Sequence, residues 1–465
     1  MNPVRPADSR NVPASPADSG AVVRERMVSG GDHRQGVDPV SGLSRYLVSA
    51  QPREVVPLGS CTASSPSPLG WRAAADATLL DPVAVCADVR ARLREHFGVP
   101  ERGEVVLTPS GTDALYVLSA LIQGRVHHVV VGSAELGGGT MAASLGRSIS
   151  PIAPHGESAD GIAALAARCT AIPVELRERG GLPRTTESVD AEVRAAVEAG
   201  LARGEHVVLT VVTHSKTGLC APSEATLDWA LRLPPGRLTV LIDAAQGRLE
   251  PADARSVLER GAVVLLTGSK LWGGPAFSGA LLLPASLAGD PGVLPGGLES
   301  WVAAASLPEA WSGARSGLVA VNEGLAVRWS AALAEIEATL AIPASTRAAV
   351  LEAFEAARDA EGPLAWVPAP LHAHGWMTGM SRRRTIHTFA VPGDLEHAKS
   401  LHAAADAAGF HLGQPVALGP DASTWGLRVA LGAPLLRARA DDADSGAAWF
   451  REAFAEVAAV LRGAS

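Results

Sequence analysis

Cysteine is scarce. The 465-residue chain has four, Cys61, Cys86, Cys169 and Cys220. None stands in a CxxC or metal-ligand spacing, so the pattern predicts a reducing compartment, no disulfide framework and no metal site. The N-terminus has no apolar h-region of the kind that marks a secretory signal. No run approaches the length of a membrane-spanning helix. Together these absences predict a cytoplasmic protein. There is also no excess of positive charge: the formal net charge of -8 argues against nucleic acid or an anionic membrane as the main partner. The only basic cluster, Arg382-Arg383-Arg384, leads into a strand pattern and reads as a solvated strand entry. What remains is 47% hydrophobic and 19% charged, the balance of a globular chain with core enough for two or three domains.

Residues 1–40 are rich in Pro, Ser, Asp, Gly and Arg without periodicity, and are expected to be a disordered tail. An N-terminal segment, 41–103, holds a Ser/Pro stretch from Cys61 to Pro68, expected as an ordered loop or linker, with reach into the active site as the lesser alternative, and a helix near Val83 to Phe97. Over 104–320 short β-type runs alternate with helical patterns. The strand candidates are Glu104–Thr108, His128–Gly132, Ile149–Ala153, His206–Thr213, Leu238–Ile242, Ala262–Leu266 and Gly279–Leu283. Helices are expected near 112–123, 158–168, 187–202 and 223–232. Seven apolar strands interleaved with helices predict an α/β fold, a mostly parallel sheet covered on both faces. A connecting helix over 321–341 leads to a smaller α+β C-terminal domain, 342–465, read as α-β-β-α-β-α. Its last helix carries Phe450, Phe454, Val457 and Leu461 on one face, as core.

Three strand ends carry chemistry. Val105-Val106-Leu107 runs into Ser110-Gly111-Thr112 and opens a helix. Leu238 to Ile242 runs into Asp243-Ala244-Ala245-Gln246. Val263 to Leu266 runs into Thr267-Gly268-Ser269-Lys270, followed by the glycine-rich Trp272-Gly273-Gly274-Pro275. Singly these are ordinary: a helix N-cap, a strand-terminal acid and a capping lysine. Together they supply what pyridoxal phosphate (PLP) needs. Phosphate favours N–H groups at a helix N-terminus. The pyridine nitrogen needs a carboxylate that makes the ring an electron sink. The aldehyde needs a lysine amine. In parallel sheets the ligand sits at the carboxyl ends of the strands, where all three motifs lie.

The segment from Asp243-Ala244-Ala245-Gln246 to Gly268-Ser269-Lys270 resembles the Asp-Ala-x-Gln to Gly-His-Lys segment of fold-type I PLP enzymes, in particular the class V aminotransferase and cysteine desulfurase group. The resemblance covers most of residues 100–320 and touches the C-terminal domain. It implies that Lys270 forms the internal aldimine, Asp243 pairs with the pyridinium and Gln246 contacts the ring hydroxyl. It implies that Ser110, Gly111, Thr112, Thr267 and Ser269 hold the phosphate. Thr213 to Gly218 resembles the group's loop that approaches cofactor or substrate, which makes His214 and Ser215 candidates; the alternative is a plain strand-end turn. Gly313-Ala314-Arg315-Ser316-Gly317 looks like the loop whose arginine crosses to a partner's phosphate, so Arg315 implies a homodimer. Arg428 sits where the group binds the substrate carboxylate, and a guanidinium fork suits that ligand.

The chain departs from the group at several points. Ser269 replaces the histidine before the lysine. Leu318 stands where the Arg315 loop pattern carries a threonine. The stretch Ser133 to Thr140, with its triple glycine, offers Leu136 where the group stacks a ring on the cofactor. No cysteine follows Cys220, which argues against desulfurase chemistry. The expected function is a PLP-dependent enzyme acting on an α-amino acid through Lys270 aldimine and quinonoid chemistry, aminotransferase-like. The alternative is elimination, replacement or carbon–carbon bond formation at Cβ or Cγ in specialised metabolism, on a substrate such as S-adenosylmethionine. A third reading is a non-catalytic PLP-binding protein.

Overall fold

The computed structural model describes residues 16–157, 161–234, 236–359, 364–419, 422, 424–441 and 446–464. Its centre is a seven-stranded sheet. Strand β1 (Val56–Leu58) belongs to a second, smaller sheet. The strands of the large sheet, in chain order, are β2 (Glu104–Thr108), β3 (Val126–Val131), β4 (Cys169–Val174), β5 (His206–Val212), β6 (Leu238–Ala244), β7 (Val263–Thr267) and β8 (Gly279–Leu283). In space they run β2-β8-β7-β6-β5-β3-β4. Strands β4, β3, β5, β6 and β7 pair parallel, and β8 alone runs antiparallel to both its neighbours. The interior strands are apolar and buried almost throughout, as strands covered on both faces must be.

The reversed strand shapes the rim of the sheet. Gly279 pairs with both Thr108 and Thr267, so the chain entering β8 arrives at the rim where its neighbours end. A Cβ at Gly279 would lie 2.5 Å from the Ser110 carbonyl carbon, so only glycine permits the approach.

The second sheet has four strands, β1, β10 (Phe410–Ala417), β11 (Trp425–Ala430) and β9 (Ile386–Val391), in that spatial order. Strand β1 pairs parallel to β10, so the N-terminal segment completes the small sheet. The element order after residue 342 is α-β-α-β-β-α-α, which corrects the expected α-β-β-α-β-α. The final helix, Gly446–Gly463, buries Phe450, Phe454, Val457 and Leu461 as its spacing predicts. Phe354 meets Phe450 and Phe454 edge-on at 5.2 and 5.6 Å.

Two further expectations are corrected. The seventh strand of the large sheet is Cys169–Val174, not 149–153. Only Ile152–Ala153 is extended there, in a two-residue ribbon with Gly156–Glu157. Strand β4 escapes a periodicity search because it is an edge strand, half exposed and carrying Pro173, which edges tolerate. Of the helix expected near 158–168, only Ala163–Ala166 forms, and residues 158–160 lie outside the described residues.

Residues 16–40 are folded, whereas residues 1–15 lie outside the described residues. Pro16–Met27 is a helix whose Val23 and Met27 are buried against Ala74, Val327 and Ala331. Two apolar side chains four residues apart are too few to register as periodicity, yet they suffice to dock one turn. The stretch after it is pinned by Arg328 of helix Glu323–Leu340. That guanidinium is buried and donates to the carbonyls of Arg26, Ser29 and Gly30, and to that of Phe277 at 2.8 Å.

Candidate active site

A cavity of about 620 Å³ opens over the carboxyl ends of the parallel strands. Ser110, Gly111, Thr112, His214, Asp243, Gln246, Thr267, Ser269, Lys270 and Arg428 all line it. Its floor is built by three strands. Asp243, near the end of β6, is buried and accepts one hydrogen bond, from the Ala245 N–H at 3.0 Å. Burial raises its carboxyl to about 6, against the pull of that bond and of Lys270. Lys270 follows β7. Burial lowers its amine to about 7, and the nearby charges of Arg428, Lys216 and Arg34 push the same way. An amine that sheds its proton near neutral pH is poised to act there as nucleophile or base.

The end of β2 turns into helix Gly111–Leu121. Ser110 caps it, accepting from the Asp113 N–H at 3.2 Å and donating to the Asp113 carboxylate at 2.8 Å. Ser110, Gly111 and Thr112 bring this first turn to the cavity as an anion seat, and burial raises the Asp113 carboxyl in the same turn to about 7. Gly111 allows close packing: a Cβ there would meet Leu265 and Thr267 at 3.2 and 3.3 Å. In the triple glycine, a Cβ at Gly139 would stand 2.8 Å from the Thr112 methyl. The triple glycine therefore lets the 133–140 loop close against the helix start. Leu136 of that loop is buried and lines the cavity.

The wall opposite comes from distant parts of the chain. Arg428, on β11, is 3% exposed. It donates to the Gln414 carbonyl at 2.7 and 3.2 Å, to Thr62 Oγ1 at 2.9 Å and to the Lys216 carbonyl at 3.3 Å. Among the described residues no carboxylate pairs with it. Gln246 donates to the Cys61 carbonyl at 3.1 Å, and its own oxygen accepts from Arg248 at 3.1 Å. Arg248 is fully buried and also bonds Ser60 Oγ, Thr385 Oγ1 and the Gln246 and Leu431 carbonyls.

His214 is buried and lines the cavity. One ring nitrogen lies 3.3 Å from the Arg383 carbonyl, and Nδ1 has no hydrogen-bond partner. Burial, with Arg248 adding to it, lowers the imidazole to about 3, so it is neutral. Ser215, by contrast, does not line the cavity. Its hydroxyl donates to Glu135 Oε2 at 2.6 Å, because the chain turns just beyond the end of β5 and the Ser215 N–H bonds the Leu219 carbonyl at 2.8 Å. The same carboxylate accepts from Thr217 and pairs with Arg177 at 2.5 Å. Burial alone would raise Glu135, but Arg177 and the hydroxyls hold it below the usual carboxylate range. Arg315 ends a short helix, Ser312–Arg315, outside this chain's cavity.

Sequence reasoning gives one wall element little weight and misses two. Cys61, Thr62 and Ala63 line the cavity from the Ser/Pro stretch expected as a loop or linker. Lys216 lines it beside Arg428. Arg34 lines it from the stretch expected as a disordered tail, with its guanidinium 5.1 Å above the Phe277 ring and doubly bonded to Asp32. Burial would lower Arg34, yet the Asp32 pair dominates and raises it further, so it is charged at every accessible pH. No local signal marks any of the three.

The chain matches no protein-family model and no curated protein sequence. Solved structures do match. A cysteine desulfurase from Thermococcus onnurineus aligns with a TM-score of 0.52 and 14% identity, over 86% of this chain and 95% of that one. A serine palmitoyltransferase from Sphingomonas wittichii aligns at 0.50 and 12% identity, over 89% of each chain. The S. paucimobilis serine palmitoyltransferase with a bound PLP–myriocin aldimine aligns at 0.50 and 13% identity, over 96% of each. At such identities the likeness establishes the fold: an α/β chain with the architecture of fold-type I PLP transferases.

Proposed function

We propose that this chain is a PLP-dependent enzyme acting on an α-amino acid, with amino-group transfer as its leading reaction. One observation carries the reading. A single cavity joins a lysine whose amine burial lowers to about 7, a buried carboxyl, a capped helix N-terminus and an arginine without a carboxylate partner. The residues fit the cofactor. His214 offers a buried, unpartnered Nδ1 on the cavity, and the seat at Ser110-Gly111-Thr112 has room only because of the glycines that flank it.

In this reading Lys270 holds the cofactor, Asp243 meets its ring nitrogen and Gln246 its ring hydroxyl. The phosphate is held by Ser110, Gly111, Thr112, Thr267 and Ser269, with Arg34 as the cation closest to that seat. When bound, PLP supplies an electron sink for the pair left at the substrate's Cα. Arg428 binds the substrate carboxylate and so fixes which Cα bond faces Lys270. Once freed, the Lys270 amine would accept the Cα proton and, for amino-group transfer, deliver it to the carbon that had held the lysine. Leu136 and the 133–140 loop cover the site and keep water out. A homodimer belongs to this reading, since Arg315 reaches a cavity only across a subunit interface, as does a cytoplasmic setting.

A second reading is reaction at Cβ or Cγ. It is favoured by Leu136, which lies where the resembled group places a ring. Both readings are tested by following the visible absorbance of the PLP-loaded protein, wild type beside Lys270→Ala, while titrating amino acids. A band that depends on Lys270 and shifts with one amino acid supports the enzyme reading. The products then separate transfer from elimination, replacement or bond formation. A Lys270-dependent band that no amino acid moves leaves a non-catalytic PLP protein, and no band at all removes the cofactor.

A further inference from the structure

The charge on the cavity wall is unbalanced. Five cationic residues line it, Arg34, Arg45, Lys216, Lys270 and Arg428, against two acids, Asp243 and Glu135. Arg34 already holds Asp32. Glu135 is committed to Arg177 and three donors from the 215–217 turn. In the proposed function, the cofactor engages Lys270 and Asp243, and the substrate's α-carboxylate engages Arg428. Two cations are left over, of which Arg45 is exposed and Lys216 is half-buried.

Lys216 is no bystander on the surface. Its carbonyl accepts from Arg428 at 3.3 Å, and its Nζ donates to the Ala134 carbonyl at 3.3 Å. It therefore stands between the 133–140 loop and the carboxylate-binding arginine. Among the described residues neither Lys216 nor Arg428 has a carboxylate within ion-pair distance. Two neighbouring cations repel each other and lose hydration: burial and Arg428 lower the Lys216 amine to about 8 although Glu135 pulls the other way, and an anionic ligand between them offsets that cost. The phosphate seat at Ser110 to Thr112 is served by its own helix N-terminus and by Arg34, which also couples to Asp113 of that helix.

We infer that the substrate carries a second negative group on its side chain, a carboxylate or phosphate, and that Lys216 together with Arg428 recognises the pair of anions. The inference rests on the proposed function and names its substrate class: an acidic α-amino acid, or the acidic oxo-acid that accepts or leaves its amino group. Lys216 is a specificity residue in this role. It touches the substrate's side chain and takes no part in bond breaking.

The test uses two acid and neutral pairs of equal shape, L-aspartate with L-asparagine and L-glutamate with L-glutamine, and O-phospho-L-serine beside L-serine as the phosphate arm. Each is titrated calorimetrically into the PLP-loaded wild type, Lys216→Gln and Lys216→Arg. The expected result is that at least one acid binds about 30-fold or more tighter than its neutral partner in the wild type. Lys216→Gln should collapse that preference towards one without moving the neutral member, and Lys216→Arg should restore part of it. If no acid outbinds its partner, or if Lys216→Gln keeps the preference, the inference is overturned. If Lys216→Gln instead weakens PLP retention with the preference intact, the lysine serves the cofactor and the inference is also overturned. The Lys270-dependent absorbance is read in the same samples. Its absence in the wild type overturns the cofactor reading, whereas its presence without acid preference overturns only the substrate class.

Discussion

The floor and the wall of the cavity are built in opposite ways. The floor is carried by consecutive strand ends. Asp243 and Thr267 sit where apolar runs stop, at the ends of neighbouring strands, and Lys270 follows in a tight turn, its carbonyl accepting from the Gly273 N–H at 3.0 Å. The wall is assembled by hydrogen bonds between segments far apart in the chain. Thr62 and Arg428 are 366 residues apart, and Arg328 reaches back about 300 residues to fix the stretch that presents Arg34. The difference separates two tasks. Positions that need sub-ångström constancy ride on the large sheet, whereas positions that select a ligand come from loops and from the small sheet, joined by polar contacts.

This contrast can be broken by substitution. Lys270→Ala should leave the fold intact and remove turnover, a loss of roughly 10⁴-fold or more in kcat, measured beside an unchanged melting temperature. Arg248→Met attacks the join between floor and wall. Its guanidinium bonds Ser60, Thr385 and Leu431 as well as Gln246, so unfolding in urea should show a loss of about 3 kcal/mol. Arg428→Gln should act on ligand rather than fold, raising KM by about 100-fold with kcat within a few fold. Equal losses in kcat would place Arg428 in the chemistry and erase the distinction. Arg34→Ala should weaken PLP binding by about 10-fold, read by equilibrium dialysis. An unchanged affinity would make the N-terminal stretch scaffold only.

The smallest effect is a dependence on pH. Burial lowers Lys270 from its ordinary 10.5 to about 7. Only the neutral amine attacks an aldehyde, so PLP uptake by the cofactor-free protein should rise as pH passes about 7. Lys216→Gln removes one of the like charges that lower the amine and should move that midpoint upward. Stability follows with the same sign. Between about 7 and 10.5 the unfolded chain binds the lysine proton and the folded one does not, so this group makes the fold more stable as pH rises there. Asp243 acts in the opposite sense lower down. Its carboxyl is raised from 3.8 to about 6, so between those values the folded state holds the proton and stability falls as pH rises.

Legibility in the sequence follows the same division. Six of the seven expected strands of the large sheet form within a few residues of their expected limits, because each is an apolar run bounded by a turn. The chemistry attached to them is equally visible. The features that escape lack a local pattern. Strand β4 carries a proline and half-exposed side chains, and helix Pro16–Met27 shows two buried apolar residues in a polar stretch. Arg34 and Lys216 have meaning only through Phe277, Asp32, Ala134 and Arg428, contacts that no spacing encodes. Ser215 shows the reverse error: its neighbour His214 lies on the cavity, and one residue along a turn suffices to send the hydroxyl to Glu135 instead.

The role of Arg248 is also mechanical. Four stretches of chain meet on a single guanidinium whose partners are all neutral oxygens. The partners do not titrate; only the guanidinium does, and burial, with Arg428 adding to it, lowers it to about 10, so the joint holds through neutral pH. It is the knot where floor and wall are tied: cutting this one side chain would release Ser60, Thr385 and Leu431 together, so the wall is kept or lost as a unit.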